Sequence, residues 1–467
     1  MMYRTKEENA LLRQDKKSVS NPGTGSLRTL LCLFLAVCAF FAFSLPDFGP
    51  LGLLHRHTRV LTVGFFCGGD GEQDFEGVQN IVLQAIERYR EQYPDVEVRF
   101  ERGIPCEDYS EWLMGKFLDG TEPDVFVARQ EDLSVLSVKK MLLSLSEGSA
   151  EKETEFYAPL LEACRWNGTL YALPVMCNPQ MMAVNRDFLR KYVGNDPGAD
   201  WSWGEFHQMC RICTGTSSGT QEILRYGVTG YTWEMAAASN AARLFDENGI
   251  ENYLDETKCV QAVTFHYRLS SLLTDMVGFE SGQVAFSPMW ASDWRKYCTA
   301  PYSVEKGEDF AWYCTTMPGG PGGSNISRTE MLAGAISRRC AGRAEARAFL
   351  EILSGDEEVQ RSVLDETWSL PASAQILPQL AAGADMENDG ASARKDLQNL
   401  PPKVQEIDYG LLDDVLKNAA VIRRFSGYED IFNKLDSEIR EAGSSSGNFA
   451  VSLRRISNTM EKYTRKQ

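Results

Sequence analysis

Gly168–Leu189 reads GTLYALPVMCNPQMMAVNRDFL. The dipeptide Asn167-Gly168 at its head has the chemistry of a tight turn. A strand-like run then climbs to Pro174. Cys177-Asn178-Pro179 interrupts it, a second apolar run follows, and Asn185-Arg186-Asp187 has the polar character of a helix start. The pattern predicts two strands with a break between them, as though the chain left one folded body and entered another. The stretch holds no acid–base pair, metal cluster or nucleophile elbow.

The rest of the chain has room for two such bodies. It is 467 residues long, 43% hydrophobic and 24% charged, enough for two or three domains. Its net charge is −17, and since residues 1–58 hold 7 Lys/Arg and 4 Asp/Glu, the remainder carries 41 basic against 61 acidic side chains. So acidic a body repels phosphate backbones and anionic headgroups, and no nucleic-acid partner is expected. Four histidines (His55, His57, His207, His266) are too few for a His-rich metal site.

The N-terminus carries a separate signal. Residues 1–28 are polar and bear Arg4, Lys6, Arg13, Lys16, Lys17 and Arg28 against three acids; Thr29–Leu45, TLLCLFLAVCAFFAFSL, has no charge. Seventeen residues is short for a spanning helix, which needs about 20, and long for a signal-peptide core of about 7–15. The flanking basic residues place 1–28 in the cytoplasm and the chain beyond the apolar run outside. The run 29–45 is therefore expected to be a transmembrane signal-anchor or a signal peptide, with Ala42-Phe43-Ser44 as a small-x-small cleavage site. Cys38 lies mid-run and lacks the setting of a lipoprotein cysteine. Ten of the 12 cysteines lie beyond this segment without a disulfide-like spacing. Cys210-Arg-Ile-Cys213 is a CxxC on a helical segment without a second pair, which suits small core residues better than a metal or redox centre.

From Val60 onward, strand and helix patterns alternate. VLTVGFF is a buried strand followed by the Gly-rich loop CGGDGEQ. A helix runs to Tyr93 before Pro94, VEVRFE and PDVFVA are further strands, and Tyr109–Leu118 and Leu133–Met141 are helices. This order argues for a largely parallel, doubly wound sheet that binds ligands at its strands' C-terminal ends. GFFCGGDG does not fit GxGxxG. The middle of the chain is mostly helical. Ser202 and Glu205 form a capping box, and PGGPGGSN is a loop.

Taken in order, these pieces resemble the extracellular solute-binding proteins of carbohydrate ABC importers, the family of maltose-binding protein. GTEPDVFVA, NGTLYALPV, MMAVNRDFLRKYV with WSWGEFHQMCRICT, FESGQVAFSPMW, MPGGPGG, AGAISRR, AEARAFLEILSGDEEVQ and WSLPAS carry the likeness across about 400 residues. Three features depart from the pattern: Val184 replaces a usual tyrosine, LLTDMVGFESGQ is a shortened connection, and a run with the look of a transmembrane anchor replaces the family's lipoprotein cysteine. The resemblance implies a two-lobed α/β fold of the periplasmic-binding-protein type (type II), with hinge-linked doubly wound sheets. It divides the chain into lobe 1 (59–175 and 291–338) and lobe 2 (176–290 and 339–467). It further implies a monomer without cofactor or metal that closes on a carbohydrate and presents it to ABC permease subunits.

Candidate ligand contacts come from cleft geometry and from the resemblance. Gly68, Gly69 and Asp70 follow the first strand, where glycine admits a ligand close to the backbone and Asp70 could accept hydroxyl hydrogen bonds. Arg129 and Gln130 follow PDVFVA. Sugar faces call for flat aromatic platforms beside short polar groups. The resemblance places Trp233, Trp290 and Trp368 in that role, with Asp293 as a polar partner of Trp290 and Glu330 as a further contact. Asn178, in the break, is a ligand candidate at the hinge. Each has a plainer reading: an ordinary turn, a solvated loop, or a core aromatic. Trp201 and Trp203 read as packing residues. The chain shows no GxSxG, HExxH or P-loop, and an excess of acids makes any carboxylate pair uninformative, so no enzyme is expected. The alternative is a membrane-anchored sensor or scaffold with the same fold.

Overall fold

The structure is a computed structural model that describes residues 59–67, 77–146, 153–216, 223–298, 310–388, 407–425, 427–445 and 448–464. The N-terminal run Thr29–Leu45 lies outside the described residues. Among those described, no helix is long and apolar enough to cross a membrane.

The first body starts with three parallel strands, Arg59–Gly64, Val96–Phe100 and Val125–Arg129. Arg59–Gly64 is central, with Leu61 opposite Val98 and Val63 opposite Val125. Parallel neighbours need crossover connections, and the helices Val78–Gln92 and Cys106–Asp119 supply them. Val78, Val82, Ala85, Ile86 and Tyr89 recur at helical spacing, and all are buried against the sheet. The strand Ser327–Ile336 runs antiparallel to Val125–Arg129 and extends the sheet towards the rest of the chain.

The segment that suggested two bodies folds as a single strand. Asn167 (φ 50°) and Gly168 (φ 75°) make the expected turn of a short hairpin joining Arg165–Trp166 to Thr169–Leu170. Ala172–Asn185 then runs unbroken for 14 residues, where the sequence predicts two strands and a pause. The interruption is a change of partners. From Ala172 to Pro179 the strand pairs with Ser327–Ile336; from Gln180 to Val184 it pairs with Val284–Trp290. The prolines fall where the ladder tolerates a missing N–H. Pro174 borders a register shift at Leu332/Ala333, and Pro179 is the last residue paired with the first body's sheet.

The second body surrounds the far half of this crossing strand. Val284–Trp290 lies on one side and Trp312–Thr315 on the other, both antiparallel to it; Ile223–Thr229 continues the sheet parallel to Val284–Trp290. Helix Trp203–Cys213 opens with the expected capping box between Ser202 and Glu205. Cys210 and Cys213 are buried in this body's core, as are Trp201 and Trp203. The loop Gly319–Gly323 packs on the end of helix Trp233–Ser239 so closely that a Cβ at Gly323 would sit 2.3 Å from the Ser239 carbonyl oxygen.

The division between the bodies differs from the boundaries expected from sequence. Helices Arg343–Gly355 and Glu357–Glu366, expected in the second lobe, bury Phe349, Leu350, Leu353, Val359 and Val363 in the first core. Phe349 meets Tyr89 edge-on at 5.6 Å. Leu412, Val415 and Leu416 of helix Tyr409–Lys417 join the same core. The chain returns to the second body near Phe425, whose core holds helices Tyr428–Ser445 and Phe449–Thr464 through Ile431, Leu435, Leu453 and Ile456. Trp312–Thr315, expected in the first lobe, pairs with the second half of the crossing strand, while its Trp312 and Cys314 side chains join the first core. An amphipathic period announces that a helix face is buried without saying which sheet buries it.

Candidate functional site

The registers assemble a site at the level where the crossing strand changes sheets. Leu332 stands between Arg129 and Met176, Glu330 faces Asn178, and Trp290 faces Gln180. A second connection is the step from strand Val284–Trp290 to helix Ala291–Cys298, whose Ala291 and Trp294 lie in the first core. A third passes the same level: Ala419–Val421 pairs with Ser327–Thr329, and the chain continues through Arg423 and Arg424 into the second body.

Two adjoining hollows open here, with Ile422 in the wall of both. The larger, about 460 Å³, lies between the second body's Glu234, Ala237, Ala238, Ala241, Phe245, Glu247 and Tyr428 and a wall formed by Arg328 and Ala420–Arg423. The narrower, about 40 Å³, is lined by Arg129, Gln130, Glu131, Glu330, Met331 and Arg424. Their linings are charged and balanced. Arg328 pairs with Glu234 at 3.2 Å. Arg424 reaches Glu330 at 3.3 Å, Glu429 at 3.4 Å and Glu131 at 3.9 Å. Arg423 pairs with Glu247 at 3.1 Å and donates to the carbonyl oxygen of Glu162 at 2.9 Å. Burial raises the Glu234 carboxyl above its ordinary range against the pull of Arg328. Burial also pushes Asp132, next to Glu131, up to about 6, although the Ser110 hydroxyl donates to it at 2.8 Å.

The candidates from sequence fall into four groups. Gly68, Gly69 and Asp70 lie outside the described residues. Arg129, Gln130 and Glu330 come together around the narrower hollow. Within it, Arg129 donates to the Cys106 sulfur at 2.6 Å and lies over the Phe66 ring at 5.9 Å, while the Gln130 amide donates to the Ala163 carbonyl oxygen at 3.1 Å. Trp290, Asp293 and Trp368 are half-buried. Trp290 ends the strand that faces Gln180, Asp293 follows on helix Ala291–Cys298, and Trp368 sits two residues before the Leu370–Pro371 bridge to the crossing strand.

The last group is Trp233 and Asn178, which are committed inside the protein. Trp233 is 3% exposed, stacks on Phe432 at 5.5 Å and 9°, and donates to Asp436 at 3.0 Å. It is a core residue of the second body and offers no platform. Asn178 is buried, with both ends of its amide bonded to Ser292. Sequence reasoning missed Glu131, Glu234, Arg328, Arg423 and Arg424. The one available signal was the Arg423-Arg424 pair, a basic doublet ahead of a helix in an acidic chain.

The arrangement is a pair of charge-lined hollows beside the strands that join the two bodies. The sequence model of a family described as bacterial extracellular solute-binding protein matches residues 69–360, more than half of the chain. An uncharacterized lipoprotein from the oleD 5′ region of Streptomyces antibioticus is 25% identical over 310 residues, 61% of this chain and 65% of that protein, so the match leaves about a third of the relative unspanned. Among solved structures, the sugar-binding protein MalE of Xanthomonas citri superposes with a TM-score of 0.65 at 15% identity, covering 87% of this chain and 98% of that one. An ABC substrate-binding protein of Listeria monocytogenes in complex with cycloalternan gives 0.57 at 17% identity, with 87% and 98% covered. These likenesses establish the two-lobed α/β, periplasmic-binding-protein-like fold.

Proposed function

The chain belongs to the family of bacterial extracellular solute-binding proteins, and from that premise we propose that it binds a sugar or oligosaccharide in the cleft between its two bodies, closes on it, and delivers it to the permease subunits of an ABC importer. The observation that carries this reading is the hollow of about 460 Å³ walled by both bodies beside the strands that join them. Alanines 237, 238 and 241 leave one wall low and apolar, while Glu234, Arg328 and Arg423 stand ready to bond hydroxyls. A sugar, with apolar C–H faces ringed by hydroxyls, matches such a lining. The solved relatives add support, since one is described as sugar-binding and another holds cycloalternan.

In this reading Glu234, Arg328 and Arg423 of the larger hollow and Arg129, Glu131, Glu330 and Arg424 of the narrower one contact the solute, together with Trp290, Asp293 and Trp368. The motion is hinge closure about element-terminal residues, and the solute favours the closed state by its greater affinity for it. The apolar run Thr29–Leu45 exports the chain and anchors it at the outer face of the membrane. The protein works as a monomer towards its permease.

Calorimetry of the full-length protein against a broad glycan panel tests the reading. Saturable binding without turnover supports it; turnover of a glycan, or silence across the panel, overturns it. Mass spectrometry of the mature N-terminus tests the anchor, because a chain beginning at Leu45 has lost it.

A further inference from the structure

Three of the five arginines that line the hollows, Arg328, Arg423 and Arg424, tie one body to the other. Arg424 holds Glu131 and Glu330 of the first body and Glu429 of the second. Arg423 donates to the carbonyl oxygens of Glu162 and Arg165 in the first body while pairing with Glu247 of the second. Glu247 in turn accepts from the backbone N–H of Asn167, back in the first body. Arg328, on the first body's strand, holds Glu234 of the second. Both Arg423 and Arg424 sit on the connecting segment, where one short piece of chain can bond both sides at once.

We propose that Arg423 and Arg424, with Glu247 and the Glu131–Glu330–Glu429 cluster, form a charge clasp that draws the bodies together before any solute enters. The clasp rests on the two-lobed solute-binding function and adds to it a regulator of the resting state. A binding-competent closed form that is already populated raises apparent affinity in proportion to its fraction. A salt-sensitive clasp therefore makes affinity depend on ionic strength even for an uncharged solute. Most of these side chains are partly exposed, so mobile ions reach them. The screening length of about 10 Å at 0.1 M salt falls to about 3 Å at 1 M. A solute hydroxyl entering the narrower hollow must also share Glu131 and Glu330 with the Arg424 guanidinium, which sets an extra condition on what the cleft accepts.

The test is energy transfer in the full-length protein without solute, with fluorophores placed by non-cysteine chemistry at the exposed positions Leu118 in the first body and Val451 in the second. Raising salt from about 0.1 M to about 1 M is expected to lower the ratio of closed to open molecules roughly two- to five-fold, the size half-exposed ion pairs can supply. The double variant Arg423→Met/Arg424→Met is expected to show the open value already at low salt and to lose the salt response. Glu247→Gln, which spares both arginines, is expected to fall between, and a melting curve of each variant confirms that it is folded. Transfer that responds neither to salt nor to these substitutions overturns the clasp. Because no solute is present, that outcome leaves the glycan-binding result untouched, and a failed glycan panel leaves this one untouched.

Discussion

Asn178 and Ser292 bond each other reciprocally across two different crossings between the bodies: the Asn178 side-chain amide donates to the Ser292 hydroxyl at 2.9 Å, and the Ser292 backbone N–H donates to Asn178 Oδ1 at 3.1 Å. Asn178 stands next to the point where the crossing strand changes sheets, and Ser292 is the second residue of the helix that follows the second crossing. Both are buried. The pair ties the two connections to each other at the level of the proposed hinge.

Asn178→Ala should therefore act on the hinge and not on the solute. The substitution strands the Ser292 N–H in a buried place, which costs about 1–3 kcal/mol. Chemical denaturation should show a lower midpoint by that amount. Small-angle scattering should show a wider spread of interbody separations, with solute affinity reduced only through the closed fraction. A variant of unchanged midpoint and affinity would mean the pair does not join the crossings.

The tryptophans should separate by role. Trp233→Ala removes a ring stacked on Phe432 and bonded to Asp436, and a buried aromatic truncated to alanine costs about 3–5 kcal/mol. Trp290→Ala, at a half-buried position at the end of its strand, should cost far less stability. It should weaken binding of whichever glycan calorimetry identifies at least about ten-fold, a loss of roughly 1.4 kcal/mol. Thermal melts and calorimetry on the two variants decide; wild-type affinity in Trp290→Ala would remove that residue from the site.

How far the sequence could be read depends on the range of the interactions. The strand–helix alternation of 60–129, the Asn167-Gly168 turn and the Ser202–Glu205 cap are set by neighbours in the chain, and the structure contains them. The side on which a buried helix packs depends on residues far away. Phe349 gives the period of an amphipathic helix, yet only its contact with Tyr89 assigns it to the first body. Trp233 and Trp290 look alike as letters, and the Phe432 ring that covers one of them is 199 positions downstream. Arg424 bonds acids at 131, 330 and 429, a convergence without local signature. At Pro179 the letters announce a discontinuity, but the sheet can supply a new partner on the same strand, so the break is one of pairing.

Asp132 predicts a pH dependence. Its carboxyl is raised from 3.8 to about 6, chiefly by burial. A raised acid stabilises the fold below its unfolded value and loses that advantage as pH climbs through the folded value. This contribution is therefore complete near pH 4 and gone above about pH 6, worth roughly 3 kcal/mol at most. Asp132→Asn keeps an acceptor for the Ser110 hydroxyl and removes the charge. It should raise the melting temperature at pH 7–8 and leave it near wild type at pH 4. An equal change at both pH values would mean that Asp132 is ionised at little cost.

Arg295 connects the second crossing to the Trp368 segment. It is buried on helix Ala291–Cys298 and donates to the carbonyl oxygens of Leu364 (2.6 Å), Thr367 (3.1 Å) and Ser369 (2.6 Å). Those carbonyls close the end of helix Glu357–Glu366 and flank Trp368, so the guanidinium ties the backbone on either side of Trp368 to the helix that carries Asp293 and follows Trp290. Arg295→Met keeps the bulk but leaves the carbonyls without this donor. With hydrogen bonds from a charged donor worth about 1.5–3 kcal/mol each, the fold should lose at least that much. Arg295→Lys, a single ammonium in place of a planar fork, should recover only part of it. If Trp368 contacts the solute, both variants should also weaken binding more than their melting temperatures account for. The check is calorimetry at a temperature where each variant is fully folded. Full affinity in a folded Arg295→Met protein would show that Trp368 is held without the clamp, or that it stands apart from the solute.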